Sequence, residues 1–498
     1  MIAKFTKAPS LKKQSLYLLL GKISAFIIKM GMPIILVRLL SQEDYGVYRQ
    51  FNLVTTTFLS ILAIGLGSSL FYFYPTTDAK NRKNYIGQTY ILLNFIGLIF
   101  LIQYIFFGIK IHDLLGVNSL DSFKVIIPIY VLFMLVSNLS NSIFTAQKKI
   151  KYNLFFFPLD ILLRTVLIVG FVLFFDRSTA WIHALLFYSL IRTIFMSIYL
   201  RKEILFSLSN LNLGLIKKQI KYSLPFAGAI LINTIAVRFD KLIINNYITT
   251  SEFAIYSLAF LSLPFVQELI QSTQSVLVPD LSKHFDIKQV EKAGNLWKET
   301  VTYIASITIP VVIFFWIIAE DLFIVLYTKE YSLAASFFRI YIFVYFLHIF
   351  LHGVIFRASN NTLKIFYIDL ICFPVTIITG LFLISSYGLY GAVITAIIGK
   401  GLPIIIKQLY EKRILQLSFQ NWLQWMKLSK IVISSVIPAL LIYFVFFNLI
   451  ESRIALLLIS SIVYFLMVSI IEYFLNVFMF EKEVKHFFLL IKRLWTKK

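Results

Sequence analysis

Arg238, Asp240 and Lys241 stand almost side by side within LPFAGAILINTIAVRFDKLIINNYI (224–248), a run otherwise apolar and long enough to cross a bilayer. A charge near a bilayer centre costs about 2.5–3.5 kcal/mol on insertion scales. Arg238 and Lys241 share a helix face, whereas Asp240 points elsewhere and is placed to pair with a neighbouring helix. Lys241 is also far enough out to snorkel to the interface. Other apolar runs carry charges too. Lys22 and Lys29 lie on one face of the first run, with Lys29 near mid-membrane and Pro33 just beyond, where a missing backbone donor bends a helix. Asp160 and Arg164 have the i, i+4 spacing of an internal ion pair. Arg192, Arg339 and Lys400 follow, with Glu268 in the polar stripe Gln267, Glu268, Gln271, Gln274, and the acids Asp369 and Glu472. Tyr341, Tyr345, His348 and His352 fall on one stripe by the 3.6-residue period. No third ligand accompanies the two histidines, so a hydrogen-bonding or titrating pair is expected rather than a metal site. Bases outnumber acids in this set, and cations left unpaired belong in a water-filled cavity rather than against lipid. Such a cavity suits an anionic substrate that is membrane-borne or large and polar. No Gly-rich phosphate loop, zinc-ligand spacing or serine-histidine-acid constellation is present, so neither a cofactor nor an enzyme is expected.

The elements that position these residues follow from composition. The chain is 59% hydrophobic and 14% charged, far from the usual quarter-charged composition of soluble domains. Runs of about 20 apolar residues, the length of a spanning helix, number about fourteen, centred near 26, 61, 98, 136, 165, 190, 235, 266, 308, 345, 375, 397, 438 and 463. Alternating strands of an outer-membrane barrel are absent. The fold class is therefore an all-α polytopic membrane protein. The basic then apolar amino terminus has no small-residue cleavage site and reads as an uncleaved first helix. Cys372, the single cysteine, excludes an intramolecular disulfide. Net charge +23 is distributed unevenly: of 47 Lys and Arg, about 32 fall in segments assigned to the cytoplasm if both termini lie there. Basic clusters recur at every second connection, whereas outer loops lean acidic. The basicity thus reports topology and anionic inner-leaflet lipid, and nucleic acid is excluded as a partner.

Two pairs of segments echo each other. SQEDYGVY (41–48) matches TTSEFAIY (249–256) at an offset of 208, and IFTAQKKIKY (143–152) matches IFRASNNTLK (355–364) at 212. Both predict an ancestral duplication of a six-span unit. Six is even, so both copies run the same way through the membrane, and transporters built so bind substrate between the halves. The expected organisation is 1–205 (spans one to six), 206–412 (spans seven to twelve), 413–475 (an added pair) and a basic amphipathic tail, 476–498, along the inner leaflet. Connections are too short to fold as catalytic domains, which excludes membrane glycosyltransferases and polysaccharide polymerases.

VRLLSQEDYGVYRQF (37–51), IKYSLPFAGAILINTIAVRFDKLIINNYI (220–248) and EFAIYSLAF (252–260) resemble the landmarks of polysaccharide flippases of the MOP exporter superfamily, O-antigen type. The resemblance implies two parallel six-helix lobes in a V around a central cavity, alternating access, and a groove for a polyprenyl tail at the last helix pair. The implied substrate is undecaprenyl-pyrophosphate-linked oligosaccharide, moved across the bacterial inner membrane. Pyrophosphate contact is expected from Lys29, Arg238 and Arg339, with Lys22, Arg192 and Lys400 lining the route. Asp240, Lys241, Glu268, Gln271, Tyr341, Tyr345, His348, His352 and Asp369 are the candidates for sugar contact or ion coupling, and Asp160 with Arg164 for a lumen ion pair. Expected partners are the lipid-linked oligosaccharide, membrane lipids, and polysaccharide polymerase and chain-length machinery, with the chain itself monomeric. Two other readings stand beside this one: a lipid II flippase, whose short Arg-Asp motif in the first helix is missing here, and a cation-coupled multidrug antiporter, which a basic interior suits poorly.

Overall fold

A computed structural model of the chain describes residues 28–147, 149–175, 179–210, 212–263 and 266–477, and among these all regular structure is helical. Lys22 and the tail from 478 onward lie outside the described residues. The chain divides into two compact units, 1–257 with 380–392, and 258–379 with 393–498.

The first unit runs through α1 (28–39), α2 (Gln42–Leu62), α3 (Leu66–Thr76), α4 (Ala79–Leu115), α5 (Ile126–Ser137), α6 (Leu139–Ala146), α7 (Ile150–Phe174), α8 (Ala180–Tyr199), α9 (Arg201–Ser209), α10 (Leu213–Ile244) and α11 (Thr250–Leu258). Its centre is aromatic: Phe51 of α2 meets Tyr130 of α5 and Trp181 of α8 at ring separations of 5.2 and 5.6 Å. Trp181 is fully buried. The second unit holds α12 (Val266–Asp286), α13 (Val290–Ile317), α14 (Ala319–Tyr327), α15 (Leu333–Tyr341), α16 (Val344–His348), α17 (Val354–Ala358), α18 (Thr362–Ile414), α19 (Phe419–Trp422), α20 (Trp425–Leu441), α21 (Phe447–Leu449) and α22 (Arg453–Phe474). Phe314, Ala439 and Tyr464 form a core joining α13, α20 and α22.

Nine helical segments among the described residues are long and apolar enough to cross a membrane, so the chain is a multi-pass membrane protein. Ten of the predicted centres fall in them, because α18 contains both 375 and 397. As a straight rod α18 would measure about 80 Å, far beyond a hydrocarbon core of about 30 Å. It breaks instead at Gly388, where φ +53° and ψ −126° lie outside the helical region. The chain reverses there, bringing Asp369 Oδ1 within 2.6 Å of Lys407 Nζ across the two arms. The remaining four centres, near 26, 235, 266 and 345, lie outside these nine segments. The first is only partly described, and the other three fall on or beside α10, α12 and α15–α16, where Arg238, Glu268 and Arg339 reside.

Both sequence echoes fold alike. Ser41 Oγ accepts from Asp44 N at 3.0 Å and Thr249 Oγ1 from Glu252 N at 3.2 Å, capping α2 and α11 by the same device. At the second echo, Gln147 N to Ile143 O (2.9 Å) and Lys149 N to Phe144 O (2.8 Å) are repeated as Ser359 N to Ile355 O (2.9 Å) and Asn361 N to Phe356 O (2.7 Å). These two helix ends share one hydrogen-bond pattern at an offset of 212. Arg49 donates from Nε to Ser257 Oγ at 2.9 Å and from Nη2 to Ser257 O at 3.1 Å. Residues 49 and 257 are 208 apart, the same offset as the first echo. Gly46 of α2 permits the approach, since a Cβ there would overlap the carbonyl of Thr250.

Candidate functional site: a basic stripe in the first unit

The site is organised by α2. Arg49, Asn52 and Thr56 follow one another at three- and four-residue steps and so share one helix face. Each meets a polar or basic group from elsewhere in the same unit. Arg164 of α7 donates from Nη2 to Asn52 Oδ1 at 2.7 Å. Arg238 of α10 donates from Nη1 to Thr56 Oγ1 at 3.0 Å and Thr57 Oγ1 at 2.8 Å. Lys29 stands on α1, which meets α2 where Tyr48 OH donates to Met32 Sδ at 3.7 Å, and its side chain is exposed. The threonine hydroxyls direct their own protons to carbonyls of α2, Thr56 to Asn52 O at 2.6 Å and Thr57 to Leu53 O at 2.6 Å. They therefore hold the Arg238 guanidinium by lone pairs and leave its charge intact.

Two acids stand in this region, and both are engaged. Asp160 Oδ1 lies 3.1 Å from Arg192 Nε and accepts from Tyr188 OH at 2.9 Å. The ion pair expected between Asp160 and Arg164 is thus replaced: Tyr188 and Arg192 are one turn apart on α8 and close on Asp160 together, while Arg164 turns to Asn52. Arg192 also donates to Asn138 Oδ1 at 3.2 Å. Asp240, buried, takes Lys241 Nζ at 3.0 Å and Tyr256 OH at 2.6 Å. Lys29, Arg49, Arg164 and Arg238 remain, and among the described residues none of the four has a carboxylate within ion-pair distance.

In the second unit the predicted residues divide. Arg339 lies in α15, shortly after the turn that follows α14, and approaches Glu320 Oε2 at 3.9 Å while donating to Trp316 O at 3.1 Å. Arg339, expected to contact pyrophosphate, thus has an exposed acidic neighbour. The stripe from Tyr341 to His352 is interrupted. The helix stops at Tyr341, resumes over Val344–His348 and stops again before Leu351 (φ +52°) and Gly353 (φ +82°). His348 and His352 still stand with ring centroids 5.4 Å apart. Tyr345 accepts from Leu263 N at 3.1 Å. Lys400 bonds the Tyr341 hydroxyl and lies over its ring, 4.8 Å from the centroid. Glu268 is partly buried with an unbonded Oε2, Gln271 is exposed and Asp369 pairs with Lys407. No group of three metal-ligating side chains occurs among the described residues.

Arg49, Asn52, Thr56, Thr57 and Tyr188 were not singled out in the sequence. The signal was present as the polar period within YRQFNLVTTTF (48–58), but threonines that bond their own helix are ordinary in apolar spans.

Twenty-three chains of solved structures match the fold. Lipid II flippase MurJ, in an inward closed conformation, is similar at a TM-score of 0.69 and 16% identity, over 92% of this chain and 100% of that one. An inward-facing multidrug resistance MATE family transporter of the MOP superfamily gives 0.60 and 15%, over 81% and 94%. A MOP superfamily transporter from Pyrococcus furiosus, described as having a binding pocket of reversed polarity, gives 0.53 and 15%, over 82% and 96%. At these identities the likeness is one of fold. No curated protein matches the sequence. The profile of the family described as polysaccharide biosynthesis protein matches residues 11–285, more than half of the 498 residues, and the chain belongs to that family.

Proposed function

We propose that this protein is a flippase that carries undecaprenyl-pyrophosphate-linked oligosaccharide from the inner to the outer leaflet of the bacterial inner membrane. The unit carried would be an O-antigen, capsule or exopolysaccharide repeat. The carrying observation is the basic stripe: Arg49 lies on one face of α2, Arg164 and Arg238 bond Asn52 and Thr56 of that face, Lys29 stands on the adjoining α1, and none of the four has a carboxylate of its own among the described residues. A polyprenyl chain can remain in lipid, but its pyrophosphate must exchange water for fixed donors, and guanidinium groups supply them in the geometry phosphate oxygens accept. Family membership supports the polysaccharide branch. Lys400, Arg192 and Lys22 line the route in this reading, and the residues around His348, Glu268 and Asp369 serve sugar contact or ion coupling. Both termini lie in the cytoplasm, the two six-span repeats alternate access, the last helix pair holds the polyprenyl tail, and polymerase and chain-length proteins receive the product. The chain acts as a monomer and makes and breaks no covalent bond. The test is genetic and chemical: delete the gene, then identify the lipid-linked sugar that accumulates on the cytoplasmic leaflet. A complete glycan repeat on undecaprenyl pyrophosphate is expected. Accumulated lipid II instead, or altered tolerance to cationic dyes with normal surface glycan, would overturn the proposal.

A further inference from the structure

Away from the basic stripe, the second unit contains a half-open cavity of about 180 Å³ between α13 and α22, with Ser306, Pro310 and Val311 on one side and Phe465, Ser469 and Glu472 on the other. Its polar atoms are acceptors. Ser306 donates its hydroxyl proton to Tyr303 O at 2.9 Å and Ser469 donates to Phe465 O at 2.7 Å, which leaves both oxygens with lone pairs only. Pro310 has no N–H, so the carbonyl of Ser306 one turn earlier lacks its helical donor. Glu472 is only 4% exposed. Its carboxylate approaches Ser434 Oγ at 3.5 Å, but the single proton of Ser434 is committed more closely to Ile431 O at 2.8 Å. Lys430 is turned to the carbonyl of Leu475 at 3.2 Å. Among the described residues no base lies within ion-pair distance of Glu472. A buried carboxylate in this state is costly unless something outside the chain answers it.

We infer that this cavity binds a primary ammonium group carried by a phospholipid headgroup. An ammonium brings one positive charge and three N–H donors, which match the carboxylate and the acceptor oxygens of the two serines. Glu472 lies two residues before the end of α22 at Phe474, and the adjacent Tyr473 is 59% exposed, as aromatic residues are at headgroup depth. The cavity is roomier than a bare ion needs, and Val311 and Phe465 offer apolar contact to a headgroup's methylenes. A quaternary ammonium has no N–H to offer these acceptors and is excluded on that ground.

The full-length protein, reconstituted in phosphatidylglycerol nanodiscs doped with either phosphatidylethanolamine or phosphatidylcholine, provides the test. Phosphatidylethanolamine is expected to raise the wild-type Tm by about 3 °C or more over phosphatidylcholine, and to remain bound in native mass spectra. Glu472→Gln removes the charge and Val311→Phe fills the cavity, so each is expected to abolish the difference between the two lipids. If Glu472→Gln does not fold, Val311→Phe decides alone. Equal Tm in the two lipids would overturn the inference, as would a lipid difference that survives in the folded variants. So would free ethanolamine or sodium chloride reproducing the shift in phosphatidylcholine discs, which would assign the site to a soluble amine or a bare cation.

Discussion

Arg238 shows how a charge can be kept available inside a membrane protein. Bonding it to Thr56 and Thr57 satisfies two donors without cancelling the charge, whereas Asp160 neutralises Arg192 outright. The two arginines should therefore respond oppositely to substitution. Arg238→Ala is expected to lower glycan export about tenfold to a hundredfold, the value of one or two charge-assisted hydrogen bonds, with little change in Tm or membrane abundance. Asp160→Asn should act on stability, lowering it by about 3–5 kcal/mol because Arg192 is left buried without its counter-ion. The readout is melting temperature and the amount of protein in the membrane. The surplus of bases was legible in the sequence, because every Lys and Arg in an apolar run is conspicuous. The choice of partner was not. Asp160 and Arg164 have ideal local spacing, yet Arg192 wins by arriving from α8 together with Tyr188, a packing outcome that no local period encodes.

At the scale of elements, the predicted spans that carry charge within them are informative. Around 235, 266 and 345 the helices carry Arg238, Glu268 and Arg339; α12 is polar along much of its length, and the apolar segment Leu333–His348 is shorter than a full span. Apolar length was legible because hydrophobic runs of spanning length are rare elsewhere. The breaks after Tyr341 and before Gly353 were hidden, since the surrounding residues remain apolar whether the helix continues or not. Two glycines carry the geometry of their elements. Gly46→Val should wedge α2 from α11, because the added atoms meet the Thr250 backbone, which cannot move aside as a flexible side chain would. Export is expected to fall at least tenfold, and cysteines introduced at positions 49 and 257 should crosslink less readily than they do with Gly46 intact. Gly388→Ala places a Cβ on a backbone conformation that L residues rarely adopt, at a cost of about 1–3 kcal/mol, and should reduce the yield of folded protein.

For the whole molecule, the echoed segments share capping and helix-end hydrogen bonds at nearly constant offset, so the likeness visible in the sequence extends to the local structure of those segments. Function adds an energetic requirement. Moving a pyrophosphate with two negative charges outward from a negative cytoplasm gains roughly 4–5 kcal/mol per 100 mV when no cation travels with it. Collapsing the membrane potential is then expected to slow flipping in vesicles. Flipping sustained by a pH gradient alone would assign the drive to protons and turn attention to Glu268, Asp369 and the His348–His352 pair. Either drive requires the basic stripe to seat the pyrophosphate. The direct measurement is the affinity of the purified protein for undecaprenyl-pyrophosphate-linked oligosaccharide, compared between wild type and Lys29→Ala/Arg238→Ala over a range of ionic strength. A Kd raised at least tenfold in the double variant, with a shallower dependence on salt than wild type, is predicted. Equal affinity and equal salt dependence in the two proteins would contradict it.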